Sequence, residues 1–160
     1  MSASDHDSAG ASLAPVSAHF VNNVLAVTAS YIEDDPDRAR EVLAELGQFL
    51  SYRLREQPDR VDVADELAHT AAYLRLQQAR FPDRLALELP PVAALATIGP
   101  VIPLAIQRPV SEALDRRLRE LAGPCSVVLR PAPAGLVLEL RGGEAPPQRL
   151  DITLMEGVPA

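Results

Sequence analysis

The first half of the chain repeats apolar residues with the period of an α-helix. A first helix is predicted from about Leu13 to Ile32, and its apolar stripe consists of Val16, Phe20, Val24, Val27 and Tyr31. Asp35 can cap a second helix that starts at Pro36, because proline suits the first helical position. This helix is predicted to end near Glu56. Its apolar side comprises Ala39, Val42, Leu43, Leu46, Phe49, Leu50 and Leu54.

Two amphipathic helices joined by a short polar turn predict an antiparallel helical hairpin. One hairpin cannot cover its own apolar stripe. We therefore expect helices 1 and 2 to pair with those of a second copy in a dimeric four-helix bundle.

The second half of the chain contains two further predicted helices and several β-rich segments. Asp62 can cap a third helix, with Asp65 and Glu66 in its first turn. "RLALEL" is strand-like, a Pro- and Gly-rich connection follows, and "PLAIQRPVSEALDRRLRELAG" predicts a helix whose first half Pro109 disturbs. "CSVVLR", "GLVLEL" and "RLDITLM" predict three short strands, the first two joined by a hairpin at "PAPAG". The fold class is thus α+β, with a small sheet covered on one face by helices.

The predicted organisation has three parts. Residues 1–11 are small and polar and are expected to form a disordered tail, which includes His6. The helical hairpin occupies residues 12–60, and the α+β part occupies residues 61–160.

The net charge, the cysteine count and the lengths of the apolar segments exclude several classes of protein. The net charge of −7 argues against a general nucleic-acid binder, because there is no excess of cations to displace phosphate counterions. The single cysteine, Cys125, excludes an intramolecular disulfide framework and fits a reducing compartment. No apolar run approaches the ~18 residues of a membrane span, and no signal peptide is recognisable. We expect a soluble cytoplasmic protein without a membrane span.

Three segments carry a resemblance to a known family. "AHFVNN" is similar to a P-H-F-L-F-N phosphoacceptor box and matches it at His19, Phe20 and Asn23. "VDVADELAHTAAYLRLQQARF" fits the pattern L-x-x-E-L-x-x-x-x-x-Y-L-x-I-x-x-x-R-F in residue type and spacing, and "IPLAIQRPVSEAL" is similar to I-P-P-L-L-L-Q-P-L-V-E-N-A-I. In this order the segments resemble the LytS-type sensor histidine kinases, most clearly from Leu13 to Leu114.

The resemblance implies a helical phosphoacceptor hairpin followed by an ATPase-like α/β sandwich, and the chain departs from it at the nucleotide site. Ser111 and Glu112 stand where the family has the Glu and Asn that help to hold Mg²⁺ and the triphosphate. "RGGEAPP" replaces the D-N-G-x-G loop, and the chain reaches its last strand without an ATP lid or second glycine loop. We therefore expect a truncated, degenerate ATPase-like part that binds no cofactor.

The resemblance also implies roles for His19 and Asn23. Phosphoryl transfer to histidine needs a neutral ring nitrogen with an open approach, and His19 lies beside the apolar stripe with small neighbours. Asn23 lies one helical turn further along the same face and could bond the imidazole or orient a phosphoryl oxygen or a water. The alternative interpretation is a boundary histidine beside a core-facing Phe20, with Asn23 as a surface amide.

The functional expectation is a two-component phosphorelay protein of histidine-kinase descent. A histidine phosphotransferase would relay a phosphoryl group between His19 and the aspartates of response-regulator receiver domains, with Mg²⁺ supplied only by the receiver. One alternative is a pseudokinase that acts as a dimeric scaffold. A second alternative is an ATP-dependent sensor kinase with an atypical site.

The remaining polar candidates are interpreted as structural. His69 is expected to be a satisfied helix-three histidine, and Glu66 and Arg80 are expected to fix that helix against the hairpin, since partly buried charges require partners. Cys125 is expected to be a small buried residue. The cluster of Arg116, Arg117 and Arg119 is expected to form a solvated helix face.

Overall fold

The computed structural model describes residues 16–155, and its elements confirm the α+β class. The helices are α1 (Ala18–Asp34), α2 (Pro36–Leu54), α3 (Val63–Arg80) and α4 (Gln107–Glu120). The strands are β1 (Leu85–Glu88), β2 (Cys125–Ala132), β3 (Gly135–Arg141) and β4 (Gln148–Thr153). A short 3-10 helix at Val92–Leu95 lies between β1 and α4. The predicted tail at residues 1–11, with His6, lies outside the described residues.

Local capping sets the starts of the helices. The Asp35 carboxylate accepts the backbone N–H of Arg38 at 3.0 Å, and Pro36 is the first residue of α2, as predicted. Asp62 caps α3 in the same way, as also predicted. The predicted start of the first helix near Leu13 lies outside the described residues. The helix predicted at Val16 and Ser17 is wrong, because neither residue is helical and α1 begins at Ala18.

The sheet has the order β1-β2-β3-β4. Strand β1 pairs with β2 in parallel, whereas β2, β3 and β4 form an antiparallel meander. The predicted hairpin at "PAPAG" is confirmed, with Ala132 opposite Gly135 at its end. A side chain at Gly135 would collide with the carbonyl oxygen of Ile152 on β4, so the close approach of these strands requires glycine here.

Helix α3 is the centre of the structure and packs against α1, α2, α4 and β1. Its residues Ala72, Leu74, Leu76 and Ala79 have no exposed surface. They belong to one core cluster that also contains Val24 of α1, Phe49 of α2 and Leu138 of β3. The apolar stripe of the hairpin is therefore covered within the chain by α3.

Two parts of the predicted helical pattern are corrected. Leu43 and Leu54, expected on the buried side of α2, are 49% and 76% exposed, because α3 covers the neighbouring face that carries Val42, Leu46 and Phe49. Pro109 does not disturb α4, because it lies in the first turn, where its missing N–H would have no helical partner. Within residues 16–155, no helix is long and apolar enough to cross a membrane.

Candidate functional site

His19 lies in the first turn of α1 with its side chain exposed. The Ser17 hydroxyl accepts the N–H of Phe20 at 3.4 Å and caps the helix immediately before the histidine. Phe20 turns inward, with its ring centroid 5.4 Å from that of Phe49 and 5.7 Å from that of Tyr73. Because Phe20 anchors the rotation of α1, its neighbour His19 is directed outward. Phe20 thus faces the core, as the alternative interpretation of a boundary histidine also expects, and His19 is exposed beside it.

Asn23 lies one turn after His19 and contacts its ring. The amide Nδ2 of Asn23 lies 3.1 Å from Nε2 of His19. An amide N–H can only donate, so in this arrangement Nε2 is the acceptor and the ring proton belongs on Nδ1. The structure thus brings the two predicted site residues together, with Nε2 unprotonated and its single in-plane lone pair accepting the Asn23 N–H; this lone pair becomes nucleophilic when the hydrogen bond opens.

A cleft of about 500 Å³ opens beside His19. Its walls come from the start of α1, the end of α2, the end of α3 and the first half of α4. The charged side chains that line it are Arg53, Arg80, Arg108, Glu112 and Asp115. Sequence reasoning did not place Arg53 and Arg108 at the site, since they reach the cleft only through the packing of α2 and α4 around α3. No periodic or motif signal in the sequence marks them.

A buried carboxylate fixes α4 against the helical hairpin. Glu66 has no exposed surface, and its Oε2 accepts the Tyr52 hydroxyl at 2.5 Å. The same carboxylate accepts the N–H groups of Leu104 and Ile106, each at 3.0 Å, and of Gln107 at 3.3 Å. These are the otherwise unpaired donors at the start of α4, so Glu66 acts there as an anion at a helix N-terminus. The predicted role of Glu66 in fixing helix three to its neighbours is confirmed.

The turn before α4 is strained, and Glu66 holds it. Leu104 has a φ of 66°, in the left-handed region that costs an L-residue about 1–2 kcal/mol. Its N–H is one of the donors to Glu66. Burial, and secondarily the hydrogen bond to Glu66, raises the pKa of the Tyr52 hydroxyl far above its ordinary value of 10.0. Tyr52 therefore stays a neutral donor to this carboxylate.

The loop after β3 is closed onto α4. Arg117 is 5% exposed and donates from Nη2 to the carbonyl of Gly142 at 3.2 Å and to that of Pro146 at 3.4 Å. A side chain at Gly142 would collide with the Pro124 carbonyl oxygen and meet Leu121, so this glycine serves close backbone packing. The prediction that Arg117 belongs to a solvated helix face is wrong, whereas Arg116 and Arg119 are exposed as predicted.

His69 is buried at 1% exposure between two aromatic rings. Its ring centroid lies 4.1 Å from that of Tyr52 and 4.9 Å from that of Phe49, with nearly parallel planes. Burial, helped by the positive charges of Arg53 and Arg55, lowers the pKa of His69 to about 3. The residue is structural as predicted, but it is not satisfied, because neither ring nitrogen has a hydrogen-bond partner among the described residues.

Cys125 and Glu112 complete the predicted candidates. Cys125 opens β2 and is 2% exposed, as predicted, and burial raises the pKa of its thiol. Glu112 is exposed on the α4 wall of the cleft.

Comparisons with known proteins agree with the order of these elements. A family model described as histidine kinase matches residues 11–85. The sensor histidine kinase BtsS of Escherichia coli K12 is 30% identical over 109 residues, which are 64% of this chain and 19% of BtsS. The sensor protein LytS of Oceanobacillus iheyensis is 32% identical over 61% of this chain and 18% of its own length. LytS of Staphylococcus saprophyticus is 29% identical over 86% of this chain and 24% of its own length.

The chain thus spans about a fifth to a quarter of the length of the curated relatives that it matches. The family match covers α1, α2 and α3, which carry His19, Asn23, Tyr52 and Glu66. The family match and these relatives show that the chain is similar to the LytS-type sensor histidine kinases, most directly over α1, α2 and α3.

Proposed function

We propose that this two-component signalling protein is a histidine phosphotransferase in which Nε2 of His19 exchanges a phosphoryl group with the aspartates of response-regulator receiver domains. The observation that carries the proposal is an exposed His19 imidazole whose unprotonated Nε2 accepts a hydrogen bond from Asn23. The His19 imidazole can act as a nucleophile without a bound nucleotide.

The proposed step balances without a further reactant. The Asn23 N–H first releases Nε2. The freed lone pair then attacks phosphorus, the N–P bond forms, and the P–O bond to the aspartate breaks with its electron pair leaving on the carboxylate. The proton on Nδ1 stays in place, and the reverse step regenerates the neutral ring. The receiver supplies its own Mg²⁺, while this chain orients and exposes the imidazole of His19.

The second half supports a reaction without ATP. In the LytS family, the glycines after the strand that corresponds to β3 lie close to the nucleotide, whereas here Gly142 packs on Pro124 and the loop is bonded to Arg117. Glu112 and Ser111 put a carboxylate and a hydroxyl where the family has its Asn and Glu. The number of carboxylates is therefore unchanged, but the one present moves to the position of the Asn, and the amide that helps to hold Mg²⁺ and the triphosphate in the family is lost.

An apolar strip supports the proposed homodimer. It consists of exposed or half-buried residues spaced three and four apart on both hairpin helices: Leu25, Ala29, Ile32, Leu43, Gly47, Leu50 and Leu54. We call this surface the hairpin strip. Leu25, Ile32 and Leu43 are 45%, 60% and 49% exposed, and such a seam is the kind that a four-helix bundle buries.

The test is transfer of labelled phosphate from phosphorylated receiver domains. Wild-type protein is expected to become labelled on histidine, and His19→Gln is expected to abolish labelling while it stays folded, because the side chain is exposed. His6→Gln is the matched control and is expected to label normally. Labelling of His19→Gln at the wild-type level would overturn the proposal.

Phosphate transfer and calorimetry distinguish the two alternatives, the scaffold and the atypical kinase. A folded protein that binds a receiver but takes up no phosphate from any donor would be a scaffold. Calorimetric titration with ATP, with and without Mg²⁺, tests the atypical kinase, and we expect no heat of binding.

A further inference from the structure

Arginines from three helices meet in the cleft beside His19. Arg53 comes from α2, Arg80 from α3 and Arg108 from α4. They concentrate positive charge there although the chain as a whole carries a net charge of −7. Two carboxylates, Glu112 and Asp115, line the same cleft, so the three guanidinium groups exceed the negative charges by one.

Arg80 is held rigidly in this position. Its Cζ lies 5.6 Å from the ring centroid of Phe20 and 5.1 Å from that of Phe81, so the guanidinium stacks on two rings. Nη1 donates to Oε1 of Gln77 at 2.9 Å, and buried Gln77 in turn donates to the Tyr73 hydroxyl at 2.8 Å. Because Phe20 adjoins His19 in α1, this support fixes the guanidinium near the imidazole. Both His19 and Arg80 also line a second, adjoining hollow.

Arg53 and Arg108 place further positive charge across the cleft. Burial, and then the neighbouring charge of Arg108, lowers the pKa of the Arg53 guanidinium. Arg53 donates to Gln107 at 3.3 Å, and Arg108 is exposed and forms no ion pair among the described residues. The charges of Arg53 and Arg108 lie close enough to repel each other, and an anion that enters between them relieves this repulsion.

We infer that Arg80 and Arg108, with Arg53, form an oxyanion site that binds a phosphoryl group at His19. Arginine presents several N–H donors in one plane, which suits the tetrahedral oxygens of phosphate. In the working protein this group would be the phosphoryl group on His19, so to that extent the inference rests on the proposed function. Positive charge on this side of the imidazole stabilises the phosphorylated state and the transition state that leads to it.

Binding of inorganic phosphate tests the site without any receiver. Resonances of the His19 ring and the arginine Nε–H groups are followed in labelled protein during titration with phosphate, at an ionic strength held constant with chloride. Wild type is expected to show a saturable shift. Arg108→Gln and Arg80→Lys are each expected to weaken binding about tenfold, the size expected when one charge-assisted hydrogen bond is lost.

Two matched variants distinguish binding in the cleft from a general effect of the protein's charge. Asp115→Asn removes a cleft carboxylate and is expected to tighten phosphate binding. Arg116→Gln removes one positive charge from an exposed position of α4 outside the cleft and is expected to leave binding unchanged. Absence of a saturable shift in wild type, or an equal loss in Arg116→Gln and Arg108→Gln, would overturn the inference.

Transfer from a phosphorylated receiver separates this inference from the proposed function. If phosphate binding depends on Arg80 and Arg108 but His19 is never labelled, the oxyanion site stands and the phosphotransferase does not. If His19 is labelled and neither phosphate binding nor the lifetime of phosphohistidine responds to Arg108→Gln and Arg80→Lys, the phosphotransferase stands and the site does not.

Discussion

Tyr52 and Glu66 form a buried pair in which the phenol donates to the carboxylate at 2.5 Å. The pair joins α2 to α3, and through the backbone N–H groups of Leu104, Ile106 and Gln107 it reaches the start of α4. A carboxylate buried without all its donors is costly, so each of these bonds matters for the geometry around the cleft.

Tyr52→Phe is expected to lower the free energy of unfolding by about 1–3 kcal/mol, because it leaves one oxygen of a buried carboxylate with fewer donors. Urea unfolding measures the change. Tyr31→Phe is the matched control, since the Tyr31 hydroxyl makes only a 3.5 Å bond to the Ala79 carbonyl, and its loss should be smaller. Equal losses in the two variants would contradict the importance of the pair.

His69 makes the stability depend on acid. Its pKa in the folded chain is about 3, whereas the unfolded imidazole titrates near 6.5. Between these values the unfolded state binds a proton that the folded state does not, so the free energy of unfolding falls as pH falls, by up to about 1.4 kcal/mol per pH unit.

His69→Phe keeps a flat ring between Phe49 and Tyr52 and removes the titrating group. We expect this variant to lose that share of the slope below pH 6.5 in urea unfolding measured across pH. His19→Gln, at an exposed position, should retain the wild-type slope. An unchanged slope in His69→Phe would show that other groups cause the acid sensitivity.

Asn23→Ala is expected to slow phosphate uptake by His19 about fivefold, the kinetic equivalent of one hydrogen bond worth about 1 kcal/mol. The reason is the 3.1 Å contact that orients the ring. The initial rate of labelling by a phosphorylated receiver measures it. Asn22→Ala, the exposed neighbour, should label at the wild-type rate, and an equal effect there would remove the specific role of Asn23.

Leu43→Glu is expected to dissociate the proposed dimer, because it puts a charge into the hairpin strip where a partner would desolvate it. Analytical ultracentrifugation over a range of concentrations measures the change. Val92, 49% exposed on the short 3-10 helix, provides the control Val92→Glu, which should remain dimeric. A wild-type protein that is monomeric throughout would contradict the dimer.

Local signals predicted the elements better than the faces that they bury. The Asp caps, Pro36 and the β-rich runs act within a few residues, so the starts of α2 and α3 and the strands β2 to β4 were readable from the sequence. The helical period of α2 offers two adjacent apolar faces, and only the packing of α3 decides that Phe49 is buried while Leu43 is not.

The site likewise contains residues that local spacing predicts and residues that only the tertiary structure brings together. His19 and Asn23 are four residues apart on one helix, so their contact was predictable from spacing. The arginines of the cleft come from three helices, and the burial of Arg117 depends on where the loop after β3 returns. Such arrangements depend on tertiary structure and leave no periodic trace.

The continuous core around α3 limits how the proposed phosphoacceptor helices α1 and α2 can be used in isolation. A fragment that ends after α2 would strip α3 from Val24, Val42 and Phe49 and expose them to water in every copy. A piece that ends after α3 would in turn lose the α4 wall of the cleft beside His19, so fusions that test the proposed receiver recognition on another scaffold should retain the chain at least through α4.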